Sequence, residues 1–326
     1  MNGRRKGLRG FLVLLTGVLL GVGLSMPVLR TQSGTADKPT PPPPLITPAP
    51  PPSSMPGPLP AGSAEETLPT PAESGGQEEP ADPGPGPEAE AEALLRAFLE
   101  EQPGRWDLCF LALPEGEPVL CTRDREPMVS ASLIKLYIMG AVYERTERGE
   151  LDPEAVRAPL EAMITVSDNA SANRLIRLLG GGDEEAGMAA VNDWCLRQSF
   201  GETRLNRLML ADNGLQNNTS ARDCALLLRA IYRGECVSPE ASREMEALLL
   251  GQKLNDRLPR DLPAGTPVGH KTGDLIGLCR ADVGIVYSPG GDYILCILGD
   301  ARGSEAAETD AMAELSRQIY GLMNPD

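Results

Sequence analysis

The pattern of apolar and polar residues divides the chain into three parts. Residues 11–24 read FLVLLTGVLLGVGL and follow a basic start at 4–9. Residues 31–89 are polar and rich in proline, and from residue 90 apolar positions return at the spacings of helices and strands. This predicts an N-terminal signal-anchor or transmembrane segment over 1–30, a linker over 31–89, and a folded domain over 90–326.

Within the folded part, strand patterns lie at both ends and helical patterns lie between them. The sequence EAEALLRAFLEEQ (90–102) has helical spacing, and WDLCFLAL (106–113) and PVLCTRD (118–124) flank a turn, which predicts a hairpin. A helix-rich stretch follows from 132 to about 250. Three further strand patterns and a final helix close the chain, at 267–273, 281–289, 292–300 and from 304 onward. The sequence therefore predicts an α+β domain whose antiparallel sheet comes from both termini, with a helical subdomain inserted.

The N-terminal parts predict that the domain lies outside the cytoplasm. Arginines precede the apolar run and no A-x-A site follows closely, so we expect a single-pass anchor in the cell membrane, with a cleaved signal peptide and a secreted product as the alternative. Residues 31–90 contain 18 prolines and cannot bury enough apolar surface to fold. We expect a disordered tether, although its PxxP content could also serve as a peptide ligand.

Charge and composition exclude several functions. The net charge is −16, and residues 91–326 hold about −13 of it, so a nucleic-acid partner is not expected. His270 is the single histidine, which excludes zinc sites with two or more histidines and leaves only one base for a Ser-His-Asp triad. With no C-x-x-C pair, neither a structural zinc nor a thioredoxin-like redox motif is expected. We expect no cofactor, and we expect a monomer.

The seven cysteines leave their pairing open. Cys109 and Cys121 lie almost opposite each other in the predicted hairpin, so a cross-strand disulfide is possible. Cys224 and Cys236 are too far apart along a predicted helix to be bridged. The default expectation is that the cysteines act as small buried hydrophobes.

A serine and a lysine three residues apart open the first predicted helix after the hairpin. Ser132 and Lys135 would lie on one face, one turn apart, in a segment that is apolar nearly all round. A buried amine with a lowered pKa can take the serine proton. Taken alone, the pattern could also be a surface lysine on a helix that Ser130 caps.

Two further segments carry polar groups. Ser167-Asp168-Asn169 reads on its own as a helix N-cap, and Lys271-Thr272-Gly273 ends a predicted strand. Together and in this order, the three segments resemble the motifs of the penicillin-recognising serine enzymes, in particular class A β-lactamases and their relatives. The likeness covers residues 90–326 and implies the β-lactamase/transpeptidase-like fold.

The resemblance implies a role for each catalytic position. Ser132 would be the acylated nucleophile and Lys135 its proton acceptor. Ser167 would shuttle a proton to the leaving nitrogen, and Lys271 would set the electrostatic field around Ser167 and bind the substrate carboxylate. His270, which precedes that lysine, is expected to pack rather than to catalyse.

Five more positions would bind the substrate. Asn169 would hold the amide side chain, and Thr272 would bind the carboxylate next to Gly273. The backbone N–H groups of Ser132 and Asp274 would form the oxyanion hole. Arg280 falls where many class A enzymes have a carboxylate-binding arginine, although it could instead pair with a surface acid.

The sequence departs from the family pattern in two places. Ser132 and Ser167 are only 35 residues apart, which implies a shortened helical subdomain. The segment ETRLNRLMLADNG (202–214) resembles the start of the family's Ω loop, and the glutamate that activates the deacylating water would fall at Met209, which is not a base. Asp212 and Asn213 are nearby and could partly substitute.

The resemblance leaves three functions open. The first is β-lactam hydrolysis by a serine hydrolase of the class A type. The second is a D-Ala-D-Ala peptidase or transferase acting on peptidoglycan, which the missing glutamate and the long tether favour. The third is a non-catalytic penicillin-binding sensor or wall-binding module that stays acylated. The partner would be a small β-lactam or a peptidoglycan peptide.

Overall fold

The computed structural model of the protein describes residues 86–114, 116, 121 and 127–325. The predicted membrane segment, and the predicted linker as far as residue 85, lie outside the described residues. Across the described part of the chain, no helix is both long and apolar enough to cross a membrane.

Six strands form two sheets in the described residues. The strands are β1 Trp106–Ala112, β2 Met128–Val129, β3 Asn218–Thr219, β4 Val268–Leu275, β5 Cys279–Val286 and β6 Tyr293–Gly299. The main sheet is antiparallel with the order β1–β6–β5–β4, and β2 pairs with β3. One edge strand comes from the N-terminal side of the domain and the other three from its C-terminal side, which confirms the predicted α+β class.

Eight α-helices complete the described fold. They are α1 Pro87–Glu101, α2 Ile134–Glu147, α3 Pro153–Thr165, α4 Asn169–Leu179, α5 Glu184–Arg197, α6 Ala221–Tyr232, α7 Pro239–Leu250 and α8 Glu305–Met323. Helices α3 to α8 each begin after an Asp or Ser whose side chain accepts a backbone N–H of the first turn, which is why they begin where they do. Helices α2 to α7 form the inserted helical region that the sequence predicts.

The sheet separates two apolar cores. Trp106, Leu108 and Phe110 of β1 pack toward α1 and α8, whereas Cys109 and Leu111 face the inserted helices. Both faces are thus covered, which explains why the strands are buried at nearly every position and do not alternate between apolar and polar residues.

The hairpin prediction is only partly tested. Strand β1 pairs with β6 along its whole length, and the predicted partner at 118–124 lies outside the described residues except for Cys121. Cys109 and Cys121 form a disulfide, with their Cα atoms 4.5 Å apart. The default expectation of buried free thiols is therefore wrong for this pair. It is confirmed for the other five cysteines, including Cys224 and Cys236.

Candidate active site

The predicted nucleophile lies at the start of the most deeply buried helix. A 3-10 turn, Ala131–Leu133, leads directly into α2, so Ser132 and Lys135 lie one turn apart as predicted. The Lys135 Nζ atom is 3.1 Å from Ser132 Oγ, and the lysine side chain is fully buried. Since residues 134–143 are all buried, this lysine is not the surface residue of the alternative interpretation.

The second segment brings Ser167 and Asn169 to the same amine. Lys135 Nζ donates to the Ser167 carbonyl at 2.6 Å and to Asn169 Oδ1 at 2.8 Å, and lies 3.1 Å from Ser167 Oγ. Asp168 caps α4 by accepting the Ser171 N–H, as the N-cap interpretation predicts. Ser167 has a φ of 58°, a left-handed conformation that these contacts hold in place.

The third segment supplies a second buried amine. Lys271, on β4, donates to Ser167 Oγ at 3.0 Å and to the Thr272 carbonyl at 2.9 Å. The Ser167 hydroxyl therefore lies between two lysines. A continuous chain of polar contacts runs from Ser132 Oγ through Lys135 and Ser167 to Lys271.

Burial changes the proton affinity of both amines. It lowers the pKa of Lys135 from 10.5 to about 8, against the opposing effect of the Asp168 charge. Burial, and then the like charge of Lys135, lower the pKa of Lys271 to about 7. Near neutral pH a minor part of Lys135 and a larger part of Lys271 are therefore neutral, and neutral Lys135 can accept a proton from Ser132.

Ser132 lines a cleft beside the loop that follows α5. Its lining residues are Ala131, Ser132, Asn169, Arg207, Met209, Leu210, Gln216, Asn217, Asp274 and Leu275. A larger cavity of about 320 Å³ lies between α2, α3 and α7, lined by residues such as Tyr143, Leu160 and Leu248. None of the four catalytic candidates lines that cavity, whereas Ser132 lines the first cleft.

Met209 lies in this cleft, at the position that the resemblance assigns to the deacylation glutamate. Its side chain is buried. The Asn173 side chain accepts the Met209 N–H at 2.8 Å and donates to the Met209 carbonyl at 3.1 Å, which fixes the backbone there. Asp212 and Asn213, the predicted substitutes for the glutamate, are exposed and are not among the cleft-lining residues.

The end of β4 lies against the turn that carries the serine. A Cβ atom added at Gly273 would be 3.0 Å from the Ser130 carbonyl oxygen and from Leu133 Cγ, so this close approach favours glycine. Thr272 is buried beside it, and Asp274 follows as a cleft-lining residue. Ser132 and Asp274, whose N–H groups form the predicted oxyanion hole, thus line one cleft.

Arg280 lies next to the cleft-lining Asp274, within a group of acids. Its guanidinium lies 3.3 Å from Asp274 Oδ1, 2.5 Å from Glu305 and 3.5 Å from Glu308. These contacts match the alternative interpretation of an arginine paired with acids. Carboxylate binding by Arg280 stays a prediction.

His270 packs in the interior, as predicted. It is 1% exposed, with Nδ1 2.9 Å from Asp282 Oδ1 and Nε2 3.0 Å from Asn255 Oδ1. Among the described residues, no group of three His, Cys, Asp or Glu side chains is arranged to hold a metal ion.

Two residues at the site have no signal in the sequence. Asn173 holds the backbone of Met209, which is 36 positions away in the sequence. Arg257 contacts Asp274, with its Nη2 atom 2.7 and 2.9 Å from the two carboxylate oxygens. Neither belongs to a motif, and both act through contacts between segments distant in sequence. Only the folded structure reveals them.

Comparisons with known proteins match most of the described part of the chain. The model of the Beta-lactamase enzyme family matches residues 90–158 and 155–323. Beta-lactamase AST-1 of Nocardia asteroides is 30% identical over 172 residues, which is 52% of this chain and 55% of that protein. Beta-lactamase FAR-1 of Nocardia farcinica is 30% identical over 162 residues, which is 48% of this chain and 51% of that protein. The chain thus spans about half the length of the curated relatives it matches.

Solved structures show the same fold. PBP-A superposes with a TM-score of 0.63 at 25% identity, covering 71% of this chain and 95% of that one. A β-lactamase from Sphaerobacter thermophilus superposes with a TM-score of 0.61 at 25% identity, covering 72% of this chain and 96% of that one. Since the family model covers most of the chain, the protein belongs to the Beta-lactamase enzyme family.

Proposed function

We propose that the protein is a serine hydrolase that forms an acyl-enzyme at Ser132 with a β-lactam and then hydrolyses it. The observation that carries this proposal is the contact chain from Ser132 through Lys135 and Ser167 to Lys271, with distances of 3.1, 3.1 and 3.0 Å. Each link is within the range for proton transfer between the groups it joins.

Acylation follows from this series of contacts. Neutral Lys135 takes the hydroxyl proton of Ser132, and the serine oxygen attacks the lactam carbonyl. The N–H groups of Ser132 and Asp274 stabilise the negative oxygen that forms. Ser167 donates its proton to the departing nitrogen and recovers one from Lys135 or Lys271, so the ring opens without free acid or base.

The substrate is held beside these groups. Asn169 Oδ1 accepts from Lys135, so this contact orients its amide for a substrate amide group. Lys271 and Thr272 bind the substrate carboxylate, next to Gly273. The acyl-enzyme complex of a PBP-A variant with penicillin G, in a structure 25% identical to this chain, supports the assignment of this class of ligand.

Deacylation is the weak step. A hydrolytic water needs a base, and a methionine thioether is not one. Asp274 is the single carboxylate among the residues that line the described cleft, and it is paired with arginines. We expect acylation to be followed by slow hydrolysis.

The lack of a glutamate at position 209 favours a second candidate function. A D-Ala-D-Ala peptidase or transferase also acylates a serine, and it can pass the acyl group to an amine without the Ω-loop glutamate. A penicillin-binding sensor that stays acylated is the limiting case. Met209 in the cleft is compatible with all three functions, so they differ in the substrate and in the fate of the acyl-enzyme.

Turnover with two substrates separates these candidates. Purified protein is incubated with a chromogenic cephalosporin or with a muropeptide that ends in D-Ala-D-Ala, and products are measured beside the intact protein mass. Cephalosporin hydrolysis with an inert muropeptide supports the β-lactamase. Release of D-alanine supports the peptidase or transferase, and a stable adduct without product supports the sensor.

We also propose that residues 1–30 anchor the catalytic domain outside the cytoplasmic membrane through the proline-rich linker. The basic start and the apolar run to Leu29 support this proposal. Cell fractionation tests it: full-length protein in the membrane fraction is expected. A secreted form that lacks the apolar run would instead identify a cleaved signal peptide.

A further inference from the structure

The cavity between α2, α3 and α7 has an apolar interior and shares no lining residue with the cleft at Ser132. Its volume is about 320 Å³, and its apolar lining comes from Tyr143 on α2, Val156 and Leu160 on α3, and Leu248 on α7. The first three side chains are 8% exposed or less. Pockets that bind small organic molecules usually measure roughly 300–1,000 Å³. The cavity is therefore large enough for a small ligand with an apolar body.

The polar part of the lining is mainly acidic. Glu161 on α3 and Glu244 on α7 line the cavity, and both residues are exposed. The ion pairs found along α3 and α7 in the described residues include neither of these two glutamates. Arg157 also lines the cavity, but it is paired with Glu154 at 2.8 Å. The charge that this cavity presents to a ligand is therefore negative.

Tyr143 joins the apolar and the acidic parts of the lining. Its hydroxyl is hydrogen-bonded to Glu244, and burial, followed by the charge of that glutamate, raises the pKa of Tyr143. The side chain therefore stays a neutral phenol at neutral pH. An aromatic ring attracts a cation that lies over its face. Aromatic, aliphatic and carboxylate groups thus line one cavity, and together they have the chemistry that recognises an organic cation.

We propose that this cavity binds a small organic cation, whose apolar body packs against Val156, Leu160 and Leu248 and whose ammonium group contacts Glu161 and Glu244. Charge complementarity decides the class of ligand, because the acids of the lining repel an anion. The net charge of −16 on the whole chain acts in the same direction. The proposal does not rest on the proposed function, since no residue of this cavity lines the cleft.

A ligand in this cavity would connect the helices that precede and support the Ser167 segment. Helix α3 ends at Thr165, and its Ala162 carbonyl accepts the Asp168 N–H at 3.0 Å. The Lys253 N–H, just after α7, donates to the Thr165 carbonyl at 2.9 Å. We therefore expect a bound cation to raise the melting temperature of the protein, because it binds only the folded state.

The binding test compares three probes of similar size, which are 2-phenylethylammonium, the neutral 2-phenylethanol and the anionic 3-phenylpropionate. Each is titrated into purified full-length protein with labelled leucine and valine methyl groups, and binding is followed by NMR. We expect the ammonium ion to bind about tenfold more tightly than the alcohol, and the anion not to bind. The methyl signals of Val156, Leu160 and Leu248 should shift, whereas that of Leu275 in the cleft should not.

Two glutamates on one helix provide a matched pair of variants. Glu244→Gln should weaken binding of the ammonium ion about threefold and leave binding of the alcohol unchanged. Adding Glu161→Gln should remove the remaining preference for the ammonium ion. The control Glu240→Gln removes the same charge one turn earlier on α7, outside the cavity lining, and should bind like the wild type. An equal loss in this control would show a general electrostatic attraction and overturn the proposal.

A blocking variant tests the apolar part of the site. Leu248 is half-buried in the lining, so Leu248→Trp should fill the cavity and prevent binding of both the ammonium ion and the alcohol. Its melting curve shows that the variant is folded. If Leu248→Trp binds the ammonium ion as the wild type does, if the ammonium ion and the alcohol bind the wild type equally, or if the shifts fall on other methyl groups, the proposal is wrong.

Discussion

The Ser167 hydroxyl lies between two amines that burial makes less basic, and this arrangement sets how acylation depends on pH. Lys135 must be neutral to take the Ser132 proton, and its pKa is lowered to about 8. The neutral fraction therefore grows as the pH rises. With saturating substrate, the acylation rate should rise roughly tenfold per pH unit below the pKa and level off above it.

Single-turnover kinetics with a chromogenic cephalosporin measure this profile. Saturation matters because Lys271, with a pKa near 7, loses its charge over the same range and binds the substrate carboxylate less well. A Lys135→Ala variant should be much slower and should lack the rise. A wild-type rate that is flat or falls from pH 6 to 8 would exclude neutral Lys135 as the proton acceptor.

Met209 allows a direct test of the missing base. Asn173 fixes the backbone of residue 209, so a Met209→Glu side chain would start from a defined position in the cleft. We expect the acyl-enzyme to decay about 10²–10⁴-fold faster in this variant, the usual contribution of general-base assistance. The decay is measured by mass spectrometry of the intact protein.

The matched control is Met209→Gln, which has nearly the same shape as the glutamate variant and is not a base. Its acyl-enzyme should persist as long as that of the wild type. Equal acceleration in both variants would mean that access of water, rather than a base, limits deacylation.

At the residue scale, the sequence predicts the groups that motifs carry, but it does not predict Asn173 and Arg257, which support them. Ser132, Lys135, Ser167 and Lys271 are identifiable because each stands at a fixed spacing within a short segment. Arg257 is not, since its partner Asp274 lies 17 positions away on another element. Arg280 was assigned from its position along the chain, and its acidic neighbours on α8 became visible only in the fold.

At the scale of elements, glycines determine how closely the helices around the site approach each other. Gly187 on α5 lies against α4, and an added Cβ would collide with the Ile176 carbonyl oxygen. Because α4 begins at Asn169, displacing it also moves the polar groups around Lys135. Gly187→Ala should reduce the free energy of unfolding by roughly 1–3 kcal/mol and lower the acylation rate.

The control is Gly321→Ala on α8, where an added Cβ meets nothing within 4 Å. That change should stabilise the protein by up to about 1 kcal/mol, because alanine favours the helix. Chemical denaturation of both variants measures the difference. A Gly187→Ala variant as stable as the wild type would show that α4 and α5 can separate without cost.

The order of elements was predictable because helix and strand periodicities differ and because Asp and Ser caps mark the starts of α3 to α8. The pairing partners of the strands are less predictable from the sequence. The pattern at 106–113 predicts a strand, but the assignment of β6 as its neighbour depends on contacts between residues that are 181 to 193 positions apart. For the same reason the sequence does not decide whether Cys109 and Cys121 form a disulfide, since two cysteines in predicted strands do not by themselves fix a register.

At the scale of the whole molecule, three segments meet within hydrogen-bond distance, although Ser132 and Lys271 are 139 positions apart in the sequence. Helix α2, the loop before α4 and strand β4 each contribute one part, and the sheet built from both ends of the domain holds the third against the first. The motif order predicts this assembly through the family resemblance. The proposed function depends on one central claim, that Ser132 is the nucleophile of the assembled site.

Mass spectrometry of the intact protein after rapid mixing with benzylpenicillin tests that claim most directly. We expect a burst that consumes about one equivalent, an adduct of one benzylpenicillin mass that peptide mapping locates at Ser132, and slow turnover afterwards. The Ser132→Ala variant should show no adduct. An adduct that persists in that variant, or rapid steady turnover by the wild type with no detectable acyl-enzyme, would contradict the account.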